Sequence, residues 1–141
     1  MMRMWGAVAL ALAMSAPALA APPSAEAQFD LGRRYRSGVG LERDVVRGQA
    51  LIRSAAMGEH VPAMFILSNM LAEGEGSPPD LEQARFWLEA AAQREYPEAL
   101  MQLSLYVHEG RLGYQRDEAR AAQLMGQAAH ALKHRAGDHA H

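Results

Sequence analysis

The chain has 141 residues, half of them hydrophobic, with a formal charge of −2 and no cysteine. That length suits one small globular unit, and the missing cysteine excludes disulfides, thiolate metal sites and a thiol nucleophile. A single lysine, Lys133, and a slight negative balance provide no basic stripe for a nucleic-acid backbone.

Residues 1–20 read MMRMWGAVALALAMSAPALA. A basic start (Arg3), an apolar run from Trp5 to Met14 and the small pair Ala18 and Ala20 predict a secretory signal peptide cut between Ala20 and Ala21. The run is short for a membrane span of about 20 residues, and Pro17 interrupts it. The expected product is therefore secreted, or periplasmic in a Gram-negative cell, with no stable membrane anchor after cleavage. Residues 21–26 form a polar leader.

The next segment sets a pattern. Ala27, Leu31 and Tyr35 fall at i, i+4 and i+8, one stripe of a helix over 25–37. Gly32 lets another helix approach closely, and Gly38 is placed as a left-handed stop. Asp44 is positioned to accept from the free N–H groups of a helix over 44–58 that carries Gly48, Leu51 and Ala55. The line recurs 36 residues on as Ala63, Leu67, Ser68, Leu71 and Gly74, then Asp80, Ala84, Trp87 and Ala91. It recurs again as Ala99, Leu103, Ser104, Val107 and Gly110, then Asp117, Ala121, Leu124 and Ala128. Pro62 and Pro97 suit helix starts, and the remaining predicted helices cover 62–73, 80–94, 97–109 and 117–135. In the third copy Leu112 stands where Gly40 and Gly76 stand, with one residue inserted before Asp117. The units are 27–62, 63–98 and 99–135, followed by a His-bearing tail over 136–141. Each is a helix–turn–helix that cannot bury its apolar face alone and can when stacked. Tyr35, Phe65, Phe86 and Trp87 sit at repeat positions and read as packing.

The glycines, the acid, the small residues and the paired alanines over 27–134 resemble the Sel1-like repeat, a relative of the tetratricopeptide repeat. The resemblance implies an all-α, right-handed α-solenoid of about three helix–turn–helix units, acting as an adaptor that binds another protein or peptide. In relatives of the family the stripe beside the core stripe faces a concave groove. Here it reads Phe29, Arg33 and Arg36; then Phe65, Asn69 and Glu73; then Met101, Leu105, His108 and Glu109. Apolar anchors among polar groups suit a binding surface; the plainer alternative makes Phe65, Met101 and Leu105 core and the charges solvated.

Charge is uneven along the chain. Residues 27–62 hold six arginines against four acids, 63–98 two against seven, and 99–135 five bases against three acids. This pattern would select a partner or favour self-association, or is an ordinary solvated surface. The long last helix reads as a cap, or its apolar side as the seam of a homodimer.

Other chemistry is sparse. His130 and His134 share a helix face and are able to chelate Zn or Ni, with His139 and His141 beyond them. No third ligand is fixed and no HExxH surrounds them, so a frayed tail is the favoured reading and no metal is expected. Glu73 with Glu75, or His108 with Glu109, are candidate acid–base pairs, but both lie at helix ends beside repeat glycines, where polar residues are expected anyway, and no nucleophile elbow, phosphate loop or cofactor fingerprint accompanies them. Some secreted proteins resembling the family, with cysteines in each repeat, are linked to penicillin binding; this chain lacks those cysteines and any SxxK. The expectation is a binding module without cofactor or catalysis, with an envelope enzyme, ligand-binding protein or His-tail metal binder as the alternatives.

Overall fold

The structure, a computed structural model, describes residues 21–140. The expected signal peptide, its cleavage site after Ala20 and the final His141 lie outside the described residues. Six helices and no strand occur among the described residues: α1 Ala25–Ser37, α2 Val45–Met57, α3 Val61–Glu73, α4 Leu81–Gln93, α5 Pro97–Glu109 and α6 Glu118–Asp138. Each packs on its neighbours in chain order, α1 on α2, α2 on α3, and onward to α6. This is the all-α stack of three helical pairs expected from the 36-residue period.

The repeated residues make repeated local structure. Asp44, Asp80 and Asp117 cap α2, α4 and α6, each accepting from a backbone N–H three residues on at 2.9–3.0 Å. The backbone N–H of the same aspartate donates to the last turn of the preceding helix, at the carbonyls of Tyr35, Leu71 and Val107. The loop inside each helical pair is thus closed from both sides by one residue. Gly38, Gly74 and Gly110 end α1, α3 and α5 in the left-handed region, with φ of 75°, 76° and 67°.

The two helices of a pair touch at the small residues. The Ser68 hydroxyl donates to the Ala84 carbonyl at 2.8 Å, and Ser104 to that of Ala121 at 2.7 Å. Gly32 and Gly48 hold these two positions in the first pair. A Cβ on Gly48 would lie 2.9 Å from the Arg36 nitrogen, so α1 and α2 need both glycines to approach. Ala63, Leu67, Leu71, Ala99, Leu103 and Val107 are buried as the stripe predicts. In the first unit Ala27 is exposed and Leu31 and Tyr35 half-buried, because no described helix lies against their outer side.

Three details correct the sequence reading. Gly113, not Leu112, is the counterpart of Gly40 and Gly76: its φ is 77° against 74° and 80°, so the inserted residue lies between Gly110 and Gly113. Leu112 itself takes a φ of 56°, an uncommon conformation held by its partial burial against the core. α6 runs to Asp138 rather than closing at 135, so the first residues of the expected tail are helical; no glycine precedes Gly137 in its last turns, and Arg135 ties the helix to Glu98. Phe86 is 63% exposed on α4, its ring edge-on to that of Trp87, and packs no core.

Candidate functional site

The first helices of the three pairs, α1, α3 and α5, present successive side chains at one repeat position: Arg33, Asn69 and Leu105. Arg33 and Leu105 are exposed and Asn69 is half-buried. Glu73, His108 and Glu109 are exposed at the ends of their helices beside this line. Ile66 and Gln102 flank it one turn before Asn69 and Leu105, half-buried, and were not picked out from sequence.

The remaining expected contact residues are more involved in packing. Phe29 is 7% exposed, its ring 4.8 Å from that of His60, with the Arg33 guanidinium 5.6 Å above it. Phe65 is half-buried against Tyr96 at 5.6 Å, the same pairing one unit later. Met101 is half-buried against the core. The plainer alternative of core residues therefore describes Phe29, Phe65 and Met101 better than Leu105, which is 46% exposed.

Arg36 has a structural partner. It forms a two-pronged pair with Glu75 of the α3–α4 loop, at 2.8 and 2.6 Å. That hydrogen bonding holds the Glu75 carboxyl below its ordinary value and raises the Arg36 guanidinium. A basin of about 960 Å³ lies beside the pair, lined by Arg33, Arg34 and Arg43 with Asp30 and Val39. The first unit's excess of arginine is thus concentrated at the end of α1. A second groove, about 420 Å³ and mostly apolar, lies between α5 and α6 and gathers Leu105 and His108 with Met125.

The side chains that lock one unit to the next were missed in the sequence. Gln49 donates from α2 to the Glu75 carbonyl and the Ser77 hydroxyl, both at 2.8 Å. Arg85, at the same repeat position on α4, donates to the Gly113 carbonyl at 3.2 Å. Tyr114 adds a bond to Glu89 at 3.0 Å, and burial with that carboxylate pushes its hydroxyl above the ordinary tyrosine value. The available signal was a polar residue recurring at 49 and 85 on an otherwise apolar face.

The histidine and carboxylate groups form no complete site among the described residues. The Nε2 atoms of His130 and His134 lie 3.0 Å apart. Among the described residues no three His, Cys, Asp or Glu side chains converge on a metal position. Glu73 and Glu75 sit beside Arg36 in an ion-pair setting, and His108 is exposed. Among the described residues no helix is long and apolar enough to cross a membrane.

A family model for the Sel1 repeat matches three times, over residues 25–60, 61–96 and 97–131. The chain is a Sel1 repeat protein. The matched units coincide with the three helical pairs, and such repeats generally mediate protein–protein interaction. The chain is 32% identical over 92 residues to the chitin synthase regulator SKT5 of Saccharomyces cerevisiae, a match covering 65% of this chain and 13% of that protein. It superposes with a TM-score of 0.71 on a protective antigen of uropathogenic Escherichia coli displaying an SLR fold, at 34% identity, covering 76% of this chain and 23% of that one. A Sel1 repeat protein from Oxalobacter formigenes gives the same TM-score at 24% identity, covering 74% of this chain and 41% of its own, a likeness of fold. The Sel1 repeat protein described here thus spans less than half the length of each of these relatives.

Proposed function

We propose that this protein is a secreted or periplasmic adaptor that binds a segment of another protein along the line Arg33–Asn69–Leu105, on the concave side of the stack. The observation that carries this reading is the graded chemistry of that line. It starts beside an arginine-rich basin, passes a half-buried amide and ends on an exposed leucine. A segment with acidic residues toward one end and an apolar residue toward the other matches that order, with aligned polar groups setting register and the apolar contact supplying affinity. A regulator of another protein, as the yeast relative is named, is the kind of role such a module serves. No complete catalytic constellation accompanies the surface.

Two experiments test the proposal. Cross-linked capture from the envelope fraction compares the wild type with the doubly substituted Arg33→Glu/Asn69→Arg. Both residues lie off the core, so the variant keeps its helicity; the reading predicts that it loses the captured protein, and equal capture by both forms overturns it. N-terminal sequencing of the secreted form addresses location: a start at Ala21 supports the proposal, and a start at Met1 contradicts it.

A further inference from the structure

The repeat register defines one face of the second helix of each pair as the seat of the next unit. On α2 it comprises Gln49, Ile52 and Ala56, all buried; on α4 it comprises the half-buried Arg85 with Leu88 and Ala92, both buried. α2 packs on α3 and α4 on α5, and Gln49 and Arg85 reach the loops that follow α3 and α5. The same face of α6 carries Ala122, Met125 and Ala129. Leu88 is wholly buried, whereas Met125 is 49% exposed. The two extra turns of α6 prolong the face through Leu132, 41% exposed, and Ala136. The resulting spacing of three, four, three and four residues is that of a helix–helix seam.

We propose that α6 packs antiparallel against the α6 of a second copy of this chain, forming a two-fold symmetric dimer. Several features select that occupant. With the two-fold axis beside residue 127, Ala122 faces Leu132 of the second copy and Met125 faces its Ala129, so every apolar pair sets a large residue against a small one. Lys133 comes within one turn of the second copy's Glu118, and the two helix dipoles oppose. Gly126 lies at the crossing point. A Cβ added there meets nothing within 4 Å, unlike one added at Gly48, so nothing in the single chain requires a glycine in mid-helix. A closely approaching second helix does. The apolar groove bounded by Leu105, His108 and Met125 lies beside Ala122, open to the second copy's Leu132.

The alternative of end-to-end stacking fits poorly. The outer face of α1 carries Gln28 and Arg34 where α3 and α5 carry Met64 and Leu100, then Met70 and Tyr106. Ala122 also replaces the loop-gripping Gln49 and Arg85, so the α6 face accepts a plain helix and has no side chain to hold a further unit's loop. The dimer surface is separate from Arg33 and Asn69 but borders Leu105; substitutions at Arg33 and Asn69 test the adaptor role and those at Met125 and Gly126 test the dimer, so the two readings fail distinguishably.

Sedimentation equilibrium of the purified protein at up to ~100 μM tests the dimer, since a pair with a dissociation constant near 10 μM is then mostly formed. The expected mass is twice that of the chain, falling to one chain for Met125→Glu with unchanged helicity. Gly126→Leu sharpens the result: a helix former in open space raises Tm in a single chain, yet here it must also abolish the dimer. Glu118→Lys and Lys133→Glu should each weaken association, and the double exchange should restore it. A monomeric wild type overturns the proposal. So does an association that survives both Met125→Glu and Gly126→Leu, or one that grows into open-ended chains.

Discussion

The first and last units handle the same problem differently. At one end of the stack, Gln28 and Arg34 of α1 stand where α3 buries Met64 and Met70, and Arg34 donates to the Val39 carbonyl at 3.4 Å instead of entering a core. At the outer side of α6, apolar Met125 and Ala129 remain where α4 buries Leu88 and Ala92. A solenoid unit is specified by its neighbours, so polar substitution at a stacking position finishes one end. Apolar conservation of type at the other keeps that end receptive. The difference teaches that in a repeat protein the informative residues are those that hold a stacking position without being stacked on.

The largest expected effect breaks that comparison at its centre. Leu88 is wholly buried, so Leu88→Ala opens a cavity in the core beside α4 and should cost about 2–5 kcal/mol in chemical denaturation. Met125→Ala, at the same repeat position, should change the stability of the single chain by less than about 0.5 kcal/mol. The glycines give the next contrast. Gly48→Ala places its Cβ 2.9 Å from backbone atoms of Arg36 and Gly32; overpacking of about 1–3 kcal/mol outweighs the helix-propensity gain, and Tm falls. Gly126→Ala, in open space, should raise single-chain stability by up to about 1 kcal/mol. Removing a loop closure is smaller and alike in all units: Asp80→Ala should cost about 1 kcal/mol, read by thermal unfolding.

Much of this was legible in the sequence because the deciding interactions are local. Gly38, Gly74 and Gly110 stop helices, Asp44, Asp80 and Asp117 start them, and each acts within four residues of itself. The period of 36 then fixed which helices pair. What escaped depends on contacts between residues far apart in the chain. Phe29 reads as a groove residue by spacing but meets His60 from the next turn. Arg36 reads as a groove residue but is held by Glu75, 39 residues away. Gly113 could not be aligned with Gly40 and Gly76 by spacing, since an inserted residue leaves two equivalent registers and only its backbone angle distinguishes them.

The smallest effect concerns pH. Glu75 is held below the ordinary glutamate value of 4.5 by its Arg36 hydrogen bonds. A carboxylate depressed in the folded state contributes stability that is present above that ordinary value and lost as pH falls through the folded one. The pair is partly solvated, so its worth is below about 1 kcal/mol. Glu75→Gln should lower stability slightly near neutrality and flatten its decline in the acid limb, measured by denaturation at a series of pH values below 6.

The most direct measurement places a photo-crosslinking side chain at Asn69, at Met125 or at the exposed Phe86 of α4, one per protein, and identifies the adducts by mass spectrometry. The account predicts adducts to a different protein from position 69, a product of twice the chain mass from position 125, and neither from position 86. A partner captured through Phe86 but not Asn69, or a self-adduct absent at Met125, would contradict it.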